Sequence, residues 1–205
     1  MEKSFKILKR IWPKLRNLDR YLVQQPRILK YRILSRTKNV SGKGRIFQPV
    51  LFQGSGKISI GNDVNFGYHL SPQFYTGYTY IEARNPESII SIGDKCWINN
   101  SCTIVSESEG IKIGSRCLMG TNVEIYDSDF HDLHPQNRFG GKAKVASVSI
   151  GDNVFIGSNA RILKGVSIGD NSVIANSSVV VSSIPSNVIA AGNPARAIKS
   201  TLSVL

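Results

Sequence analysis

The chain has 205 residues, enough for one domain with a sizeable core and a short appendage. Gly is abundant and the apolar set leans to β-branched types, which disfavours a helical protein; no run of about 18 apolar residues offers a transmembrane helix. The formal charge of +12 sits at one end: residues 1–45 hold 14 Lys and Arg against Glu2 and Asp19, whereas residues 46–205 hold 12 of each sign.

The first 35 residues carry the periodicity of a helix. Phe5, Leu8, Ile11, Trp12, Leu15, Leu18 and Leu22 recur at three- and four-residue steps and define one apolar stripe, with Lys and Arg on the other faces. Pro13 should split this helix, and Pro26 should end it before a second short segment at 28–34. The segment has no uninterrupted apolar stretch with a small-residue cleavage site, so it does not read as a secretory signal. Two roles fit it: docking on the rest of the molecule or on a neighbouring copy, or lying on an anionic membrane leaflet. No nucleic-acid-binding fold or aromatic platform accompanies the charge, so nucleic acid is not an expected partner.

Residues 37–56 read as a Gly- and Lys-rich lead-in. A six-residue period follows, clearest from 150 to 180, where Ile150, Ile156, Ile162, Ile168, Ile174 and Val180 open successive units. Four places after each stands a compact residue: Val154, Ala160, Val166, Ser172, Ser178 and Ile184. A period of six fits neither an α-helix nor a single strand. It is the repeat of a parallel β-helix, in which short strands stack from coil to coil and Gly-Asp or Gly-Asn pairs turn the corners. The same frame begins at Ile60 and lapses over the Tyr-rich stretch 71–87. It returns at Ile92, Ile98, Ile104, Ile113, Met119 and Ile125.

Cys96, Cys102 and Cys117 each fall at the compact inward position, which marks them as reduced thiols used as apolar filler and points to a reducing compartment. Their spacing is not that of a metal site. The period breaks again over 131–147, a polar stretch with Pro and paired glycines, so this segment should leave the solenoid as a loop and carry function. At its start stands His131, just after Asp127 and Asp129. An imidazole beside a carboxylate is the usual arrangement of a general base near neutral pH. Residues 183–199 abandon the period and should cap the open end.

The stretch 131–138, followed by the repeat block and by Ala191-Gly192-Asn193-Pro194-Ala195, resembles the hexapeptide-repeat O-acetyltransferases: the galactoside and maltose acetyltransferases and those of capsule and O-antigen synthesis. The resemblance covers about residues 58–199. It implies an all-β, left-handed parallel β-helix with a basic helical N-terminal segment (1–45), an acyltransferase domain (46–199) with a protruding active-site loop (131–147), and a tail (200–205). It also implies a homotrimer with active sites between copies, acetyl-CoA as co-substrate, no metal, and a saccharide acceptor.

Matched position by position, His131 is the general base, with Asp129 near it, and the backbone N–H of Ser158 faces the oxyanion. Asn99, Asp127 and Arg138 fall on the acceptor side. Phe155, Gly157, Ser158, Ala175 and Asn176 line the pantetheine arm of the cofactor, and Arg196 with Lys199 meets its phosphates. The chain departs from the family pattern at Val181-Ser182, where Thr-Lys is common, and at Phe155, where Trp is common. A cytoplasmic location follows, peripheral on the inner membrane face if residues 1–35 bind lipid. Two other readings share the solenoid: a γ-type carbonic anhydrase-like zinc hydratase, which would need His69 with His131 and His134, and a non-catalytic solenoid trimer.

Overall fold

A computed structural model describes Leu18, residues 20–37 and residues 39–203. Short parallel strands stack into three sheets that form the sides of a prism. Sheet A holds Val40–Ser41, Lys57–Ile60, Ile89–Ile92, Ile111–Ile113, Val148–Ile150 and Ser167–Ile168. Sheet B holds Arg45–Ile46, Asn65–Phe66, Trp97–Ile98, Leu118–Met119, Phe155–Ile156, Val173–Ile174 and Val188–Gly192, and ends on the antiparallel strand Ala195–Ser200. Sheet C holds Val50–Gln53, Thr79–Ala83, Thr103–Ser106, Glu124–Tyr126, Arg161–Ile162 and Val179–Val180. The chain visits A, B and C in turn and then returns to A one coil further on; this is a left-handed parallel β-helix. Coiling begins at Val40, inside the stretch read as a lead-in.

The six-residue period has a direct packing cause. Ile150, Ile156, Ile162, Ile168, Ile174 and Val180 are between 0 and 2% exposed and stack in register along the axis. Val154, Ala160, Val166, Ser172 and Ser178 are also buried, at the corners beside them. Burying an Ile side chain contributes about 1.5–3 kcal/mol, so the repeated aliphatic column carries the fold. The three cysteines are buried free thiols within this column.

Corner chemistry explains the rest of the repeat. The residue before each compact one adopts a left-handed backbone, with φ of 55° at Asn153, 61° at Asn159 and 59° at Asn171, a region that Asn tolerates better than most side chains. At Gly93 a Cβ would meet the Gly114 carbonyl carbon at 2.6 Å, so the stacked corners approach too closely for a side chain. The next residue caps the coil before it: Asp170 Oδ1 accepts the Asp152 N–H at 2.7 Å, and Asp152 Oδ1 accepts the Ser115 N–H at 2.7 Å.

At the N-terminal side, a π-helical turn Arg20–Gln24 runs into the helix Gln25–Leu34, which lies on the first coils. Pro26 was expected to end a helix, yet it sits in the first turn of this one, where its missing N–H has no intrahelical partner to lose. Of the apolar stripe, Phe5, Leu8, Ile11, Trp12 and Leu15, together with Pro13, lie outside the described residues. At the other end Val188–Gly192 and Ala195–Ser200 form a hairpin that extends sheet B and buries Ala195 against the last coil.

Candidate active site

Between the sheet C strand Glu124–Tyr126 and the sheet A strand Val148–Ile150, an ordinary corner is replaced by an excursion over 127–147. Asp127 anchors its base. This carboxylate is fully buried and accepts hydrogen bonds from Ser106 Oγ (2.7 Å) and from the amides of Glu107 (2.6 Å) and Gly110 (2.9 Å), with Ser108 N at 3.4 Å. The assignment of Asp127 to acceptor binding is therefore corrected: its lone pairs are spent holding the 106–110 turn of the preceding coil. Asp129 is likewise committed. Its Oδ1 pairs with Lys164 Nζ at 2.7 Å, and its Oδ2 is buried without a partner among the described residues.

His131 stands exposed beyond this base. Its Nδ1 lies 3.3 Å from the backbone carbonyl of Arg138, further along the same excursion. A carbonyl can only accept, so Nδ1 is the donor in this contact, and in the neutral ring the lone pair is on Nε2. The expected carboxylate orienter is thus replaced by a main-chain carbonyl. Arg138 itself is exposed and its guanidinium donates to the Leu133 carbonyl at 3.3 Å, which tightens the loop around the histidine. His134 is exposed and donates its backbone N–H to Asp132 Oδ1. His69 lies elsewhere, at the sheet B side, between Arg20 (3.0 Å) and Tyr75 (3.1 Å). His131 and His134 share the excursion while His69 lies on another element, and no group of three or more His, Cys, Asp or Glu among the described residues could hold a metal ion.

Of the other expected residues, Asn99, Gly157, Ser158, Ala175 and Asn176 lie on the corner between sheets B and C. Asn99 donates from Nδ2 to Ser71 Oγ at 2.9 Å, and Asn100 fastens the 68–72 backbone through Tyr68, Ser71 and Pro72. Two coils further on are Gly157 and Ser158, and a third coil brings Ala175 and Asn176. The Ser158 amide does not face an open site: it donates to Asn176 Oδ1 at 2.9 Å, as the equivalent amides do at other corners. In the single chain the amide expected to face the oxyanion is therefore occupied by a side-chain acceptor. The excursion carrying His131 leaves from the C-to-A corner, one sheet width away, so a single chain does not bring these two groups of residues together.

Sheet B presents an outward line of which the sequence alone singled out only Phe155 and Lys199. Trp97, Leu118, Phe155, Val173 and Ile189 occupy one register position on successive strands, and Lys199 follows on the terminal strand. Leu118 is 51% and Phe155 46% exposed, unusual for large apolar side chains in a row. At the near end Trp97 lines a cleft of about 560 Å³ with Phe47, Tyr68, His69 and Leu70. Phe47 stacks on Trp97 at 6.2 Å between centroids and Tyr68 meets it edge-on at 5.9 Å. Trp97 Nε1 is buried with no partner among the described residues. The signal was present in the sequence: each of Trp97, Leu118, Phe155 and Val173 immediately precedes an inward residue, so an outward apolar line follows once the frame is set. Arg196 is exposed on the terminal strand, opposite Ala191.

Residues 147–182 match the family described as bacterial transferase hexapeptide (six repeats), and residues 89–126 match the hexapeptide repeat of succinyl-transferase. Over 112 residues, 55% of this chain, it is 41% identical to a galactoside O-acetyltransferase of Escherichia coli K12. Over 125 residues, 61% of this chain, it is 34% identical to a galactoside O-acetyltransferase of Lactococcus lactis. These matches span 54% and 56% of the two enzymes' own lengths, so the chain corresponds to little more than half of each. Among solved structures, a mutant of an N-acyltransferase from Bacillus cereus, in complex with dTDP and coenzyme A, shares the fold with a TM-score of 0.62 at 20% identity, covering 84% of this chain and 86% of that one. By its repeat, its coil and these relatives, the chain is similar to the hexapeptide-repeat acetyltransferases over little more than half of their length.

Proposed function

We propose that the protein is an acetyl-CoA-dependent O-acetyltransferase that acts on a saccharide hydroxyl as a homotrimer. The observation that carries this reading is the His131 ring, exposed at the start of the excursion and held by the Arg138 carbonyl with its Nε2 lone pair free. That nitrogen takes the proton of the acceptor hydroxyl, whose oxygen attacks the thioester carbonyl directly. The carbon–sulfur bond then breaks, and the imidazolium returns its proton to the leaving thiolate. No acyl-enzyme is required when both substrates are held together.

The residues present suit such a donor. Strands are spaced by about 4.8 Å, so the outward line from Trp97 to Lys199 runs roughly 24 Å. Its middle is apolar and its far end cationic, which fits an extended thioester arm ending in phosphates. Arg196 adds a second exposed cation there. The separation of His131 from Asn99, Ser158 and Asn176 supports a homotrimer, because a neighbouring copy would supply the second half of each site. Ser158 serves the oxyanion once the exposed Asn176 amide turns away from it. A lipid-linked or polymeric saccharide would place the protein at the inner face of the cytoplasmic membrane. The test is to incubate the protein with acetyl-CoA and a panel of saccharides, following thiol release and the mass of the products. Acetyl-CoA-dependent acetylation of a sugar is expected; thiol release unaffected by every saccharide supplied contradicts the reading.

A further inference from the structure

The helix Gln25–Leu34 and the turn before it are held on the solenoid by one face. Gln24 Nε2 donates to the Phe74 carbonyl at 2.7 Å, and Arg27 donates to the carbonyls of Phe74 (3.0 Å) and Gly77 (2.5 Å). Tyr31 packs on Tyr78 with ring centroids 4.5 Å apart, and Ser35 Oγ accepts the Phe52 N–H at 3.0 Å. Residues 24, 27, 31 and 35 are one helical face, so the rotation of the helix is set and the opposite face must point away.

That opposite face is apolar. Leu22, Leu29 and Ile33 are 66%, 56% and 73% exposed, with Pro26 on the same line, at steps of four, three and four. Lys30 and Arg32, both exposed, flank the stripe on either side, and Arg36 follows. The charge around it is one-sided: residues 20–62 contain nine Lys and Arg and no Asp or Glu. A second copy of the chain offered to this face would present the same cations. A bilayer of anionic lipid offers the complement: phosphate headgroups for the flanking cations and an acyl boundary for the stripe. No helix among the described residues is long and apolar enough to cross a membrane, so the geometry is that of a helix lying in the interface plane.

We infer that the outward face of the helix Gln25–Leu34 is a docking surface for an anionic lipid bilayer. The inference stands independently of the acetyltransferase reading. Leu29 and Ile33 enter the acyl boundary, while Lys30 and Arg32 reach the headgroups along their aliphatic stems.

The experiment uses the full chain with phosphatidylglycerol–phosphatidylcholine vesicles and with phosphatidylcholine vesicles alone, at low and high salt. The wild-type protein should sediment with the anionic vesicles at low salt and be released by high salt. Leu29→Glu combined with Ile33→Glu should weaken partition about a hundredfold, because each residue withdrawn from the acyl boundary is worth about a factor of ten. Lys30→Gln with Arg32→Gln should weaken it about thirtyfold. Both variants should keep the wild-type melting temperature and assembly mass, since these side chains are exposed. Three results would overturn the inference: wild-type protein that ignores anionic vesicles; undiminished binding by both variants, which would place the contact in residues 1–17; or a fall in assembly mass in the variants, which would make the face a contact between copies.

Discussion

Replacing Asp127 with alanine should destabilise the protein strongly although no substrate touches this residue. The carboxylate is fully buried and receives Ser106 Oγ and the amides of Glu107 and Gly110 at 2.6–2.9 Å. The serine hydroxyl can rotate to another acceptor, whereas the two amides are fixed by the turn they belong to. Each amide left without an acceptor costs about 1–3 kcal/mol, and bonds to a charged acceptor lie at the upper end of that range. Relief from burying a carboxylate offsets part of the loss. A net cost of about 3 kcal/mol follows, which for a chain of this size lowers the melting temperature by roughly 6–12 °C. Thermal unfolding followed by circular dichroism at neutral pH reads this directly, and limited proteolysis should show earlier cleavage within 127–147. Asp127→Asn should fall between, since it keeps one acceptor oxygen but turns an NH2 toward donors. A fall of less than about 2 °C in the alanine variant would refute the anchoring role.

Arg196→Ala should raise the KM for acetyl-CoA more than it lowers kcat, because a phosphate contact is equally strong in ground and transition states; a collapse of kcat at unchanged KM would misplace this residue. Asn176→Ala removes the acceptor that occupies the Ser158 amide, so kcat should hold or rise if that amide serves the oxyanion, and a large fall would argue for Asn176 as a direct participant. Stability should decline in alkali. Burial raises the Cys102 thiol from its ordinary 9.0 to about 12, and burial followed by the nearby Glu124 raises Tyr126 from 10.0 to about 12. Both groups are held neutral in the folded state, so their contribution is complete below about pH 9 and is lost as pH climbs toward 12. Tyr126→Phe should make the fall in melting temperature over that range shallower, and an unchanged slope would contradict the assignment.

The coil itself was legible because its cause is local. An inward Ile every six residues, a compact residue four places on, and Asn or Gly at a tight corner each act within one turn of the chain, so Ile150 to Val180 could be read without a structure. The excursion at 131–147 was legible for the same reason, as a break in that rhythm. What was hidden depends on stacking between coils. Asp127 looked like a site carboxylate because it lies near His131 in sequence, but its partners are 17 to 21 residues earlier, one coil below. The Ser158 amide is claimed by Asn176, 18 residues later, by the same stacking. His131 stands at the break the rhythm marks, yet the partner of its ring is a main-chain carbonyl, and no residue type announces a carbonyl. The aromatic cleft at Trp97 gathers Phe47 and Tyr68 from successive coils of sheet B, a meeting set by register.

The central claim is that the His131 imidazole moves the acceptor proton. It is tested most directly by comparing wild-type protein and His131→Ala for acetyl transfer from acetyl-CoA to an accepted saccharide, with coenzyme A affinity and assembly mass measured on the same preparations. The account predicts a fall in kcat of about 10²–10⁴-fold with coenzyme A binding and assembly unchanged. Turnover by the alanine variant at the wild-type rate would contradict it.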